Sequence, residues 1–195
     1  MTDERVRERN TQLINSLAGG DGSTADLDHA YALAYEELRS VARRLMQRER
    51  TDHVLRPTAL VNEAYLKLFD VGRLSVSGRT HFMNIAARAM RQVLVDYARN
   101  HGAAKRGGGQ RAVTLDTQGI ADPRAGIDLL DLNEALERFG DLDPRAARVV
   151  ELRIFGGLTM EEIAEQLGTS RRTAQKDWRI ATMWLRREFA RAAEG

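Results

Sequence analysis

The segment from Leu158 to Arg179 constrains the fold more than any other part of the chain, because start, stop and restart signals for two helices follow one another within it. Thr159 has the short hydroxyl side chain of an N-cap, and Glu162 stands three residues later, the spacing of a capping box. Ile163, Ala164 and Leu167 form the apolar stripe of a short helix. Gly168 suits the left-handed residue that ends it, and Ser170 caps a second helix. In that helix Ala174, Trp178, Ala181 and Leu185 recur at the spacing of one buried face. Two helices joined by a short turn containing glycine predict a helix-turn-helix, the geometry that lays a second helix in a DNA major groove.

The rest of the 195-residue chain is patterned in the same period. With 43% hydrophobic residues a packed core can form, and with only three prolines little interrupts the helical rhythm, so the predicted class is all-α. The pattern predicts helices from about Asp3 to Leu17, stopped by Gly19 to Ser23, and from about Asp26 to Arg50. A further helix opens at Pro57-Thr58, and another, capped by Thr80, runs to about His101. Lys105 to Gln110 is too rich in glycine to stay helical, and Ala112 to Asp128 shows no sustained period. Helices resume from Leu129 to Phe139 and from Pro144 to Phe155. The organisation expected is two small helical domains, 1–107 and 129–195, joined by a flexible, mildly acidic linker at 108–128.

The formal net charge is only +2, but the charges are unevenly placed. From His81 to Arg111 six basic residues face one acid, and from Arg171 to Arg191 seven face two. Two separate basic stretches on a nearly neutral chain suggest two contacts with a polyanion. No cysteine is present, which excludes disulfides, zinc fingers and thiol chemistry. The N-terminal residues MTDERVRERN lack the apolar core of a signal peptide, and no run approaches the roughly 18 apolar residues of a membrane span. The expectation is a cytoplasmic protein without membrane insertion.

Each basic stretch sorts onto one side of its helix. In the helix after Thr80, Phe82, Ala86, Ala89, Met90, Val93 and Tyr97 turn inward, while Asn84, Arg88, Arg91, Gln92 and Arg99 fall opposite. Guanidinium and amide groups there can bind phosphates and read base edges; a solvated amphipathic helix is the alternative. In the second helix of the pair, Arg172, Gln175, Lys176, Arg179 and Arg186 oppose Ala174, Trp178 and Leu185. Arg171 and Thr173 flank that face at the helix N-terminus, where phosphate is favoured. Trp178 reads as a core anchor, and Asp177 as a residue paired locally off the reading face.

Three motifs in order resemble the extracytoplasmic-function (ECF) sigma factors of bacterial RNA polymerase. Arg56 to Leu68 is similar to the helix by which that group grips the polymerase. Phe82 to Arg106, above all Ala89 to Arg99, is similar to the helix that reads and opens the −10 promoter element. Leu142 to Leu158, with Gln175 to Arg179, resembles the domain that reads the −35 element. The resemblance implies a transcription initiation factor, not an enzyme, that needs no cofactor. Its implied partners are core RNA polymerase, promoter DNA and, as in many relatives, an anti-sigma regulatory protein. It places polymerase contact at Leu60, Val61, Asn62, Glu63, Tyr65, Leu66 and Lys67. It places −10 contact at His81, Phe82, Asn84, Arg88, Arg91, Gln92 and Arg99, and −35 contact at Arg171, Arg172, Thr173, Gln175, Lys176 and Arg179. Many members carry Trp near the start of the −10 helix where this chain has Ile85, so base capture falls to His81, Phe82 or the preceding loop. Linker acids Asp116, Asp122, Asp128 and Asp131 suit either an RNA channel or plain solvent.

Two other functions compete with this one. A stand-alone helix-turn-helix regulator would explain the last third of the chain, but leaves the Pro57 helix and the second basic helix without a role. A nuclease would need carboxylates converging on a metal. Glu161, Glu162 and Glu165 instead sit where acids favour a helix dipole, and His29, His53, His81 and His101 lack metal-ligand spacing.

Overall fold

The computed structural model describes residues 24–46, 56–70, 79–104, 114–115 and 127–194. The helix expected at Asp3 to Leu17 lies outside them. Among the described residues the protein is all-α, with helices α1 (Thr24–Leu45), α2 (Pro57–Asp70), α3 (Arg79–Ala104), α4 (Leu129–Leu142), α5 (Pro144–Ile154), α6 (Met160–Gln166) and α7 (Arg171–Glu194). The only extended pairing among these residues is a minimal antiparallel one, Thr114 opposite Asp128 and Leu115 opposite Ile127. It draws together the two ends of the stretch expected to be a featureless linker.

Local chemistry accounts for the helix boundaries of the second half. The Asp128 carboxylate accepts from the backbone N–H of Leu130 at 2.7 Å and of Asp131 at 3.2 Å, capping α4. Burial, and then the neighbouring acids Asp128 and Glu134, hold the Asp131 carboxyl above its ordinary pKa. Asp143 both ends α4 and begins α5. Its backbone N–H donates to Phe139 O at 2.9 Å, while its side chain accepts from Ala146 N at 3.0 Å. Pro144 then occupies the first turn of α5, where a missing N–H costs nothing. The fourth helix of the expected set begins at Arg79, so Thr80 lies inside its first turn and does not precede it.

α1, α2 and α3 pack on one another, as do α4 to α7. The two groups are not separate bodies: α3 also touches α4, α5 and α6, and buried residues from Leu38 to Leu185 form one connected apolar cluster. The join runs through Phe155-Gly156-Gly157-Leu158, a buried loop between α5 and α6. A β-carbon on Gly156 would lie 3.2 Å from Ala87 Cβ and 3.4 Å from Met83 O on α3. One on Gly157 would lie 2.7 Å from Val41 Cγ2 on α1, and Gly157 also has φ +65°. Small residues here let the loop pack directly on α3 and on the side chains of α1.

Candidate nucleic-acid interface

The helix-turn-helix is built as its capping residues require. Thr159 Oγ1 accepts from Glu162 N at 3.2 Å, and Glu162 Oε2 accepts from Thr159 N at 2.6 Å, completing the capping box of α6. Gly168 takes φ +60°, and Ser170 Oγ accepts from Thr173 N at 3.1 Å to start α7. Ala174, Ala181 and Leu185 are fully buried, and the half-buried Trp178 packs against the same core. Asp177 is buried, and Arg145 on α5 grips it, Nε to Oδ2 at 2.7 Å and Nη2 to Oδ1 at 3.1 Å. That forked pair holds α7 on α5, and it raises the Arg145 pKa through the Asp177 hydrogen bond.

The opposite side of α7 is open. Arg171, Arg172, Gln175, Lys176 and Arg179 are exposed, while Thr173 is half-buried with its hydroxyl 2.9 Å from Ser170 Oγ. Arg171 Nε reaches Glu161 at 2.7 Å, which leaves Arg172, Gln175, Lys176 and Arg179 as the forward face. Gln175, Trp178 and Arg179 join Arg153 and Met160 around an open concavity of about 440 Å³. The tip of α7 thus presents mixed donors and acceptors over an indentation, a shape and chemistry suited to base edges and phosphates.

The second basic helix is only partly available. On α3, Arg88, Gln92 and Arg99 are exposed, and His81 is half-buried. Phe82 lies on the inward face that the helix period predicts, its ring in the core at 5% exposure, so it is not presented with the exposed residues of the −10 set. Asn84 and Arg91 face α4 and α5 instead of solvent. Arg148 on α5 donates through Nη2 to Asn84 O at 3.0 Å and also to the Asn84 side chain. Arg91 donates to Asn133 Oδ1 at 3.1 Å and Asn133 O at 3.3 Å, and reaches Glu151 at 3.5 Å.

On α2, Leu60 and Val61 are fully buried and their side chains belong to the core. Asn62, Glu63, Leu66 and Lys67 form the exposed strip, with Leu66 at 67% exposure, and Tyr65 is half-buried with its ring edge-on to Tyr35. Asn62 accepts from the Tyr35 hydroxyl at 2.8 Å. Lys67 Nζ donates to Asp96 on α3 at 2.7 Å, and Gln92 donates to the same carboxylate at 2.8 Å. The strip on α2 is therefore tied to the basic side of α3.

Three residues absent from the expected sites matter to this geometry: Arg79, Asn133 and Arg148. Arg79 is 1% exposed and bridges Glu37 on α1 (Nη2 to Oε2, 2.7 Å) and Glu162 of the capping box. Burial alone would lower its pKa, but Glu37 and then Glu162 outweigh it and the net shift is upward. Nothing in a local pattern marks such an arginine, since its partners come from distant helices. Among the described residues no group of three or more His, Cys, Asp or Glu could hold a metal ion, and no helix is long and apolar enough to cross a membrane.

A helix-turn-helix with a polar, basic exposed face, set beside a second basic helix, defines a DNA-binding protein of the transcriptional class. More specifically, the chain belongs to the ECF sigma factor family, whose description matches residues 7–191. It is thus a transcription-initiation sigma factor, a kind of protein that binds core RNA polymerase and promoter DNA. Comparison with curated proteins and with solved structures gave no match.

Proposed function

We propose that this sigma factor divides its work between residues 1–107, which engage core polymerase and the −10 element, and residues 129–195, which read the −35 element. In this reading α7 enters the major groove with Arg172, Gln175, Lys176 and Arg179 toward base edges, and Arg171 and Thr173 toward phosphate. The observation that carries it is the segregation of α7, with Ala174, Ala181 and Leu185 fully buried and four donor-bearing side chains exposed opposite. On α3, Arg88, Gln92 and Arg99 are ready to follow a backbone, with Asn84, Arg91 and His81 joining once uncovered. On α2, the strip of Asn62, Glu63, Leu66 and Lys67 meets the polymerase, since a large exposed leucine among polar neighbours suits a protein contact. An anti-sigma protein is a further partner of this scheme.

Run-off transcription with purified core polymerase tests the assignment. Loss of one base-reading arginine costs about 1–3 kcal/mol, roughly tenfold to a hundredfold in occupancy. The Arg172→Ala/Arg179→Ala protein is expected to bind core polymerase as the parent does and to yield far less transcript. Undiminished transcript from that variant would remove α7 as the reading helix.

A further inference from the structure

We propose that Asp96 is a positioning residue for base selection: it turns the Gln92 amide so that α3 favours adenine or cytosine, the bases with an exocyclic amino group and a ring acceptor beside it. This rests on the functional reading above and names bases which that reading leaves open. Gln92 and Asp96 stand four residues apart, so their side chains meet on one side of α3. Gln92 Nε2 donates to Asp96 Oδ1 at 2.8 Å, and Lys67 Nζ on α2 donates to Oδ2 at 2.7 Å. Both carboxylate oxygens are thus engaged, and the ammonium keeps the group ionised.

An ionised carboxylate only accepts hydrogen bonds, whereas a primary amide has a donating end and an accepting end. Turned the other way, Gln92 would set its oxygen against an Asp96 oxygen. The amide is therefore fixed with its nitrogen toward Asp96, and Oε1 is the end offered to a visiting base. Gln92 is exposed, as are Arg88 one turn before it and Arg99 two turns after it. A strand whose phosphates follow those arginines passes over the amide. Adenine N6 and cytosine N4 bring donor hydrogens to Oε1, while guanine O6 and thymine O4 are acceptors and are repelled. The arrangement also accounts for an acid on a basic side of the helix. Asp96 alone would oppose phosphate, and Lys67 supplies the charge that neutralises it.

Promoters randomised across the −10 element and barcoded in the transcribed region, used with core polymerase and the full chain, read the preference. At the position that responds to Gln92→Ala, the parent is expected to favour adenine and cytosine over guanine and thymine. The ratio should be roughly twofold to tenfold, the effect of one neutral hydrogen bond. Asp96→Ala keeps the helix, since alanine is the strongest helix former, but lets the amide turn freely and should abolish that preference. Replacing adenine there by purine, which lacks the N6 amine, should cost the parent the same factor and the Asp96→Ala protein little. A Gln92–Asp96 pair with only a structural role would change stability and leave base preference alone. A preference for guanine or thymine at that position, a preference surviving Asp96→Ala, or no position responding to Gln92→Ala would each overturn the proposal. No promoter-dependent transcript from the parent would refute the promoter-reading assignment instead. The fixed amide is then judged by NMR: Gln92 amide protons that shift as Asp96 titrates uphold it, and protons indifferent to that titration overturn it.

Discussion

Gly157 and Gly168 have nearly the same backbone conformation and very different surroundings. Gly168 (φ +60°) faces open space, so a substitution there meets only the left-handed backbone. Gly157 (φ +65°) meets Val41 and Arg44 as well. Gly168→Ala is expected to lower stability by about 1–2 kcal/mol, the ordinary penalty of that conformation, with Gly168→Asn milder. Gly157→Ala should lose clearly more, because Val41 must move. Urea denaturation of the three variants measures the contrast, and equal losses at the two glycines would show that Val41 gives way freely. Arg79 makes a related point about charge. A guanidinium so deeply buried is tolerable because carboxylates from α1 and α6 reach it, and both are needed at their observed positions.

At the scale of elements, the pairings between helices explain why the proposed contact strips stay in register. Lys67 of α2 and Gln92 of α3 share the Asp96 carboxylate, and the Lys67 hydrogen bond is the first cause of its lowered pKa, against the opposing effect of burial. A carboxylate with a lowered folded-state pKa stabilises the fold above its unfolded value of 3.8, and that contribution vanishes as pH falls through the folded value. Lys67→Met should therefore move the Asp96 titration upward, as followed by NMR of the side-chain carboxyl. The stability difference between Lys67→Met and the parent should be largest above about pH 4 and shrink in acid. Both partners are 43% exposed, so the difference will not exceed about 1 kcal/mol. An unmoved Asp96 titration would mean that the ion pair is absent in solution.

For the whole molecule, the decisive feature is that the apolar cluster does not stop at the border between α3 and α4. Helices that share one core unfold together. Thermal unfolding is expected as a single transition, with helix content and tryptophan fluorescence changing at the same temperature. Both tryptophans, Trp178 and Trp184, lie on α7, so two separated transitions would reveal the C-terminal helices melting on their own.

Much of this was legible in the chain before any coordinates. Helix period, capping residues and the turn glycine act over a few residues, so the all-α class, the helix-turn-helix from Thr159 to Arg179 and the exposed face of α7 follow from local chemistry. Asp177 was placed off the reading face for the same reason, though its partner Arg145 could not be named. The helix period turns Phe82 inward, as found, but a contact motif does not say which of its residues the core takes. Leu60, Val61 and Phe82 sat in contact motifs, yet their apolar side chains are used by the core. The meeting of α3 with α4, α5 and α6 was beyond reach, since it depends on where separate helices land once packed. Which arginines stand free and which are held, as Arg91 and Arg148 are by Glu151, is decided by residues far apart in sequence, and no periodicity records it.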